Sequence, residues 1–137
     1  MDPNNILTVV MPVYNEESTI ITIVENVLAR PEVGELIIVN DASKDNSWEK
    51  LQTFAGNPKV RLLNQEVNRG KGAALIRGFS EATMPFVMIQ DADFEYTSHL
   101  FLGNSQFLTL GIDCVCNILR YILAAVGTVR RDFPLIL

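Results

Sequence analysis

Four short apolar runs, at residues 6–13, 36–39, 60–63 and 86–90, punctuate this 137-residue chain, and each gives way at once to a polar cluster. Runs of that length and composition suit strands buried on both faces. The stretches between them have helical period. Ile20, Ile23, Val24, Val27 and Leu28 recur every three or four residues. Asn15 is placed to cap that helix, Glu16 and Glu17 suit its first turn, and Pro31 and Gly34 end it. Trp48, Leu51, Phe54 and Ala55 mark the apolar face of a second helix, stopped by Gly56-Asn57-Pro58. After a glycine-containing turn at 68–72, Leu75, Gly78, Phe79 and Ala82 mark a third. The order β-α-β-α-β-α-β predicts an α/β fold with a mostly parallel sheet flanked by helices. In open sheets of that kind ligands bind beyond the carboxyl ends of the strands, where the polar clusters fall.

The fourth run leads into Asp91-Ala92-Asp93, with Glu95 two residues on. If the chain stays extended, Asp91, Asp93 and Glu95 point the same way. Three such carboxylates repel one another unless a cation sits among them. Their hard oxygens suit Mg2+ or Mn2+, which keep waters and bind substrate phosphates as well. A calcium loop of the EF-hand type is excluded, because Tyr96 stands where it needs Gly and Leu102 where it needs Glu. Solvated acids on a surface turn are the plain alternative, and the apolar strand immediately before them weighs against it.

The other clusters are less specific singly. Pro12 fixes the backbone as the chain leaves the first strand, Tyr14 offers an aromatic face to a base, and Glu16 a polar edge. An ordinary strand-to-helix turn would read the same way. After the second run, Asp41 can accept a hydrogen bond from an imide or a ribose, while Ser43 and Asp45 fit as caps of the next helix. In Asn68-Arg69-Gly70-Lys71-Gly72 the glycines let the backbone approach an anion and Lys71 supplies positive charge. It is not a Walker motif: no Gly lies five residues before Gly70, and no Ser or Thr follows Lys71. A solvated basic turn is its plain alternative. His99, the one histidine, is given no role.

Composition narrows the function classes. With 48% hydrophobic and 20% charged residues the chain is globular, and a net charge of −5 argues against a nucleic-acid binder. Residues 1–97 carry 8 Lys and Arg against 14 Asp and Glu, and residues 98–137 carry 3 against 2. A domain boundary is therefore expected between them. Residues 107–129 are apolar enough in length to span a bilayer, but Asp113, Asn117 and Arg120 interrupt them, so a partly buried or interfacial helix is expected. Cys114 and Cys116 lack a second metal-binding pair and read as free thiols in a reducing compartment. Residues 1–5 are not the basic start of a signal peptide, so a cytoplasmic location is expected, peripheral at the inner face of a membrane.

Taken together, VVMPVYNEESTI at 9–20, LIIVNDASKDNS at 36–47, NRGKGAALIRGF at 68–79 and FVMIQDADFEY at 86–96 resemble the family 2 glycosyltransferases, which have the Rossmann-like GT-A nucleotide-sugar-binding fold. Within that family they are most similar to the polyprenyl- and dolichyl-phosphate sugar synthases. The resemblance implies that Pro12, Tyr14, Glu16, Val39 and Asp41 hold the nucleoside and that Lys71 stands near the nucleotide. It implies that Asp91, Ala92 and Asp93 form the D-x-D element, which contacts nucleotide and metal and makes Asp91 and Asp93 the catalytic pair. Glu95 stands at a third metal-ligand position. Asn40 and Ala42 depart from the pattern, which usually has Asp and often Gly there.

The resemblance covers residues 5–97, the donor half, and no Gly-Ser-Arg-type string of an acceptor site follows. An internal deletion or a truncated reading frame is expected, with 98–137 an atypical apolar helical tail and the acceptor half incomplete. The implied reaction is metal-dependent, inverting transfer from a nucleotide-diphosphate sugar to a polyprenyl phosphate. That acceptor's oxygen is already anionic and needs no general base. The alternative is a donor-binding remnant without turnover. An aspartyl-phosphate phosphotransferase also has a D-x-D after a strand, but it would want Thr or Val in place of Glu95 and leaves Tyr14 and Asp41 unexplained. An exposed edge on an incomplete sheet makes self-association a further expectation.

Overall fold

The computed structural model describes residues 5–93. Glu95, His99, Cys114, Cys116, the apolar stretch 107–129 and the expected second region 98–137 lie outside the described residues. Four strands and three helices alternate: β1 (Leu7–Val13), α1 (Ile20–Leu28), β2 (Val33–Asn40), α2 (Ser47–Leu51), β3 (Val60–Asn64), α3 (Lys71–Glu81) and β4 (Phe86–Ile89). The strands form one sheet in the order β3-β2-β1-β4, with every neighbouring pair parallel.

The central strands explain their own sequence. Val9, Met11 and Val13 of β1 and Leu36 and Ile38 of β2 belong to one buried layer; Val10, Ile37 and Val39 belong to the other. Successive residues point to opposite faces, so a strand covered on both sides must be apolar at every position. The first layer holds Ile20, Ile23, Val24 and Val27 of α1 with Leu51 of α2; the second holds Ala74 and Leu75 of α3. Thus α1 and α2 cover one face and α3 the other.

Several element boundaries differ from the sequence expectation. The first helix starts at Ile20 with Thr19 as its N-cap, not at Asn15, and its first turn holds no acid. Asn15 has φ 54°, a left-handed conformation unlike the extended geometry of a capping residue. Gly34 lies within β2, which begins at Val33. The second helix has only five α-helical residues before a tighter turn at Gln52–Phe54, and Ala55 beyond it is exposed. Gly56-Asn57-Pro58 leaves no room for another turn before β3.

Glu35 ties the amino-terminal side of the sheet together. It is buried, and its Oε2 accepts from Thr8 Oγ1 at 2.8 Å and from the Thr83 amide at 3.0 Å; Arg61 Nη2 lies 3.4 Å from Oε1. The turn from α3 into β4 is thereby fixed to both central strands.

Gly78 is where α3 meets the sheet. A Cβ there would collide with Val10 Cγ1 and come within 3.3 Å of Val39 Cγ2. Helix propensity favours Ala over Gly by about 1 kcal/mol. Overpacking against two buried β-branched side chains costs about 1–3 kcal/mol and should win. Gly78→Ala is expected to lower the urea midpoint, with a net loss of about 1–2 kcal/mol.

Candidate functional site

The strand order creates one natural crevice. From β1 the chain moves outward to β2 and β3, then returns over the sheet through α3 to place β4 on the other flank of β1. The carboxyl ends of β1 and β4 thus lie side by side where the strand order reverses, the usual binding position in such sheets. Pro12 helps define this gap. Val10 O accepts from Gln90 N, toward β4, and Val13 O accepts from Asp41 N, toward β2. By alternation Pro12 faces the β4 flank, past Ile89, so its missing N–H interrupts no ladder bond. It sits inside β1 and does not mark the strand's exit.

Asp91 and Asp93 enter the crevice from the end of β4. The strand stops at Ile89, so they stand on an irregular turn and not on an extended continuation of it. A residue from α1's start fixes that turn: Thr19 Oγ1 donates to Ala92 O at 2.7 Å. Ala92 is itself 4% exposed and packs in the layer beneath α1. Lys71 Nζ lies 2.5 Å from Asp91 Oδ1. Asp93 Oδ1 is buried and has no hydrogen-bond partner among the described residues. A buried anionic oxygen without a donor is costly, and a cation is the partner such an atom fits. Asp91 and Asp93 therefore suit Mg2+ or Mn2+. Among the described residues no third His, Cys, Asp or Glu completes the set, and Glu95 lies beyond them.

The first two polar clusters are laced to each other. The amides of Asn15, Glu16 and Glu17 donate to Ser43 Oγ (3.0 Å), Ser47 Oγ (2.8 Å) and Asp45 Oδ2 (3.1 Å). In return Lys44 N donates to Asn15 Oδ1 and Asn46 N to Glu17 Oε2. Asp45 also accepts from Ser47 N at 2.9 Å, a turn bond just ahead of the helix; the N-cap itself is Asn46, so Asp45 bridges the two loops where a cap was expected. Ser43 caps nothing and serves the neighbouring loop. This lattice leaves Tyr14 41% exposed at the crevice edge, where its ring is open to stacking.

Asp41 does something the sequence did not suggest. It is 3% exposed, and its carboxylate accepts from Gln65 Nε2 at 2.9 Å and from the amides of Arg69 and Gly70, each at 2.8 Å. It thus shapes the glycine turn, whose Gly70 has φ 86° and precedes Lys71 at the start of α3. Val39 is wholly buried beneath α3, so its side chain has no surface to offer a nucleoside. Asn40 donates from Nδ2 to Asn64 Oδ1 at 2.7 Å, a bond that an ionised Asp at that position could not make. Ala42 has φ 56°, in the region that favours glycine. An open cleft of 570 Å3 beside the glycine turn, lined by Gln65, Val67, Arg69, Ile76 and Arg77 among others, includes none of Tyr14, Asp41, Asp91 and Asp93. Thr19, Ser47 and Gln65 were missed in the sequence because single hydroxyl or amide residues carry no pattern.

Glu16 feels the acids of the crevice. Burial raises its carboxyl above the ordinary range; repulsion from Asp93 adds to this, a hydrogen bond with Thr19 opposes it, and Asp45 and Asp91 raise it further. Asp45 is shifted the other way. Burial pushes it up, but its hydrogen bonds with Ser47 and the Glu17 amide prevail and lower it.

The family model for glycosyl transferase family 2 matches residues 8–122. A dolichyl-phosphate beta-glucosyltransferase of Trichomonas vaginalis is 38% identical over 96 residues, covering 63% of this chain and 28% of that protein. A poly-beta-1,6-N-acetyl-D-glucosamine synthase of Staphylococcus aureus is 39% identical over 88 residues, covering 64% of this chain and 21% of that one. A mannosyltransferase of Pyrobaculum calidifontis, solved in complex with GDP-Man and Mn2+, superposes with a TM-score of 0.57 at 31% identity over 64% of this chain and 27% of its own. The chain thus spans between a fifth and a third of the length of each.

Two outcomes follow for the loops. A left-handed L-residue costs about 1–2 kcal/mol, and the extra unfolded-state freedom of glycine returns part of it. Ala42→Gly should therefore stabilise the chain by up to about 1 kcal/mol, read as a raised urea midpoint. For Glu16 the folded state holds its proton more tightly than the unfolded state, so stability is lost as pH rises through the raised pKa. Urea midpoints of Glu16→Gln should gain on wild type between pH 4 and pH 7. A difference that does not change with pH would contradict the shift.

Proposed function

The chain belongs to glycosyl transferase family 2, and from that premise we propose that it binds a nucleotide-diphosphate sugar at the β1–β4 crevice and transfers the sugar to a polyprenyl phosphate. Asp93 Oδ1, buried beside Asp91 and without a hydrogen-bond partner among the described residues, is the observation that carries this reading, since a cation is the partner such an oxygen suits. Asp91 and Asp93, with Glu95, would hold Mg2+ or Mn2+, which supplies neutralisation of charge on a diphosphate leaving group. The residues of the chain divide the remaining tasks. Tyr14 stacks on the base. Thr19 keeps the Asp91–Asp93 turn in place through the Ala92 carbonyl. Asp41 acts on the nucleotide through the glycine turn it shapes, and Glu16 lines the acidic side of the crevice.

The name of the Trichomonas relative supports a lipid-phosphate acceptor, and the GDP-Man and Mn2+ of the Pyrobaculum neighbour support the donor class and the metal. An acceptor oxygen that is already anionic can attack without a general base, which fits inverting transfer by a crevice whose acids are committed to a cation. In this reading residues 1–97 form the donor half and residues 98–137 a separate apolar region, with the chain working peripherally at the cytoplasmic face of a membrane. Among the described residues no helix is long and apolar enough to cross one.

Calorimetry of the full chain with GDP-mannose, UDP-glucose and UDP-N-acetylglucosamine, with and without Mn2+, tests the donor site. One of these should bind in a Mn2+-dependent way, and Asp91→Asn with Asp93→Asn should weaken it by at least about tenfold. Retention of every sugar nucleotide by the double variant would end the proposal. Transfer of labelled sugar to a polyprenyl phosphate in detergent is the second readout. Binding without transfer would leave a donor-binding module.

A further inference from the structure

Lys71 is the first residue of α3 and stands on a fixed base. Asp41 clamps the two preceding amides, Arg69 and Gly70, so the origin of the side chain is set while its length stays free. The side chain is 59% exposed, yet its ammonium lies on Asp91 Oδ1, whose side chain is only 25% exposed. The contact therefore joins a mobile point charge to a carboxylate held in the crevice wall.

We propose that Lys71 is a built-in counter-cation for Asp91, displaced from it when a divalent cation and a diphosphate bind together. The inference rests on the donor-site reading above. An ammonium on Asp91 Oδ1 and a divalent ion on the same carboxylate repel each other at close range and divide its charge between them, so each weakens the other's hold. A cation arriving alone pushes Lys71 toward water against the attraction of Asp91. A cation arriving with a diphosphate gives the ammonium a new anion within the reach of its stem. Metal and nucleotide then favour each other's binding, and by linkage the factor is the same in both directions. Lys71 thus acts as a positioning residue that disfavours the metal-only state and rewards the complete donor complex.

The test uses the full chain with Mn2+ chloride alone, GDP-mannose and UDP-N-acetylglucosamine each alone, and Mn2+ with each nucleotide. Free Mn2+ is read by electron paramagnetic resonance and nucleotide binding by calorimetry, for wild type, Lys71→Met and Lys71→Arg. Lys71→Met should bind Mn2+ alone at least threefold more tightly than wild type. Its metal–nucleotide coupling factor should fall at least fivefold, and Asp91→Asn in the same background should erase the gain in metal affinity. Lys71→Arg should stay near wild type. Lys71→Met binding Mn2+ alone no better than wild type would overturn the proposal, as would an equal gain in Lys71→Arg, which would show that packing and not charge is responsible. Failure of wild type to bind any sugar nucleotide with Mn2+ would instead remove the donor reading, while the Mn2+-alone arm still decides the role of Lys71.

Discussion

The pairing of β1 on both flanks is the constraint on which the rest depends. Because β2 takes one side and β4 the other, the carboxyl ends of β1 and β4 lie side by side where the strand order reverses, and the residues that follow both strands meet around one opening at that edge of the sheet. Pro12 tolerates this arrangement only because its absent N–H faces the flank where β4 has already ended. With β4 on the outer edge beyond β3, Asp91 and Asp93 would stand far from Tyr14 and Glu16. The polar clusters along the sequence would then be four separate turns.

Within that opening, the acids are organised by groups that carry no charge. Thr19 holds the carbonyl between the two aspartates, and Ser43 and Ser47 fasten the loop after β1 to the loop after β2. Hydroxyls suit this work because one atom both donates and accepts, so it can meet a carbonyl in one place and an amide in another. Asp41 is the exception, a buried carboxylate whose charge is matched by two backbone amides and a side-chain amide. Its effect reaches the crevice indirectly: it sets the turn that sets Lys71, which meets Asp91. One chain of contacts therefore runs from the end of β2 to the end of β4 without passing through the core.

Membership of glycosyl transferase family 2 accounts for the order of the four motifs, and their three-dimensional arrangement gives each a reason. Asn40 bonds to Asn64 across β2 and β3, which explains how the chain accommodates an amide where an acid is usual. Ala42 keeps the left-handed turn that glycine would adopt without strain. The departures thus preserve the backbone path on which the site depends.

The sequence by itself determined the α/β alternation, the burial of β1 and β2 and the placing of Asp91 and Asp93 at a strand end. These depend on periodicity and on unbroken apolar runs, which are local properties of the chain. It was less informative at the helix starts: Asn15 resembled a cap because a short polar side chain suits both a cap and a left-handed turn. The second helix looked longer than it is because Phe54 keeps helical spacing through a tighter turn. Only the tertiary structure decided that Asp41 faces the glycine turn, that Val39 is sealed beneath α3, that Thr19 grips Ala92 and that Lys71 meets Asp91. Each of these joins residues at least twenty positions apart or depends on which face of the sheet a helix covers. Such relations are fixed by strand order, which no local pattern encodes.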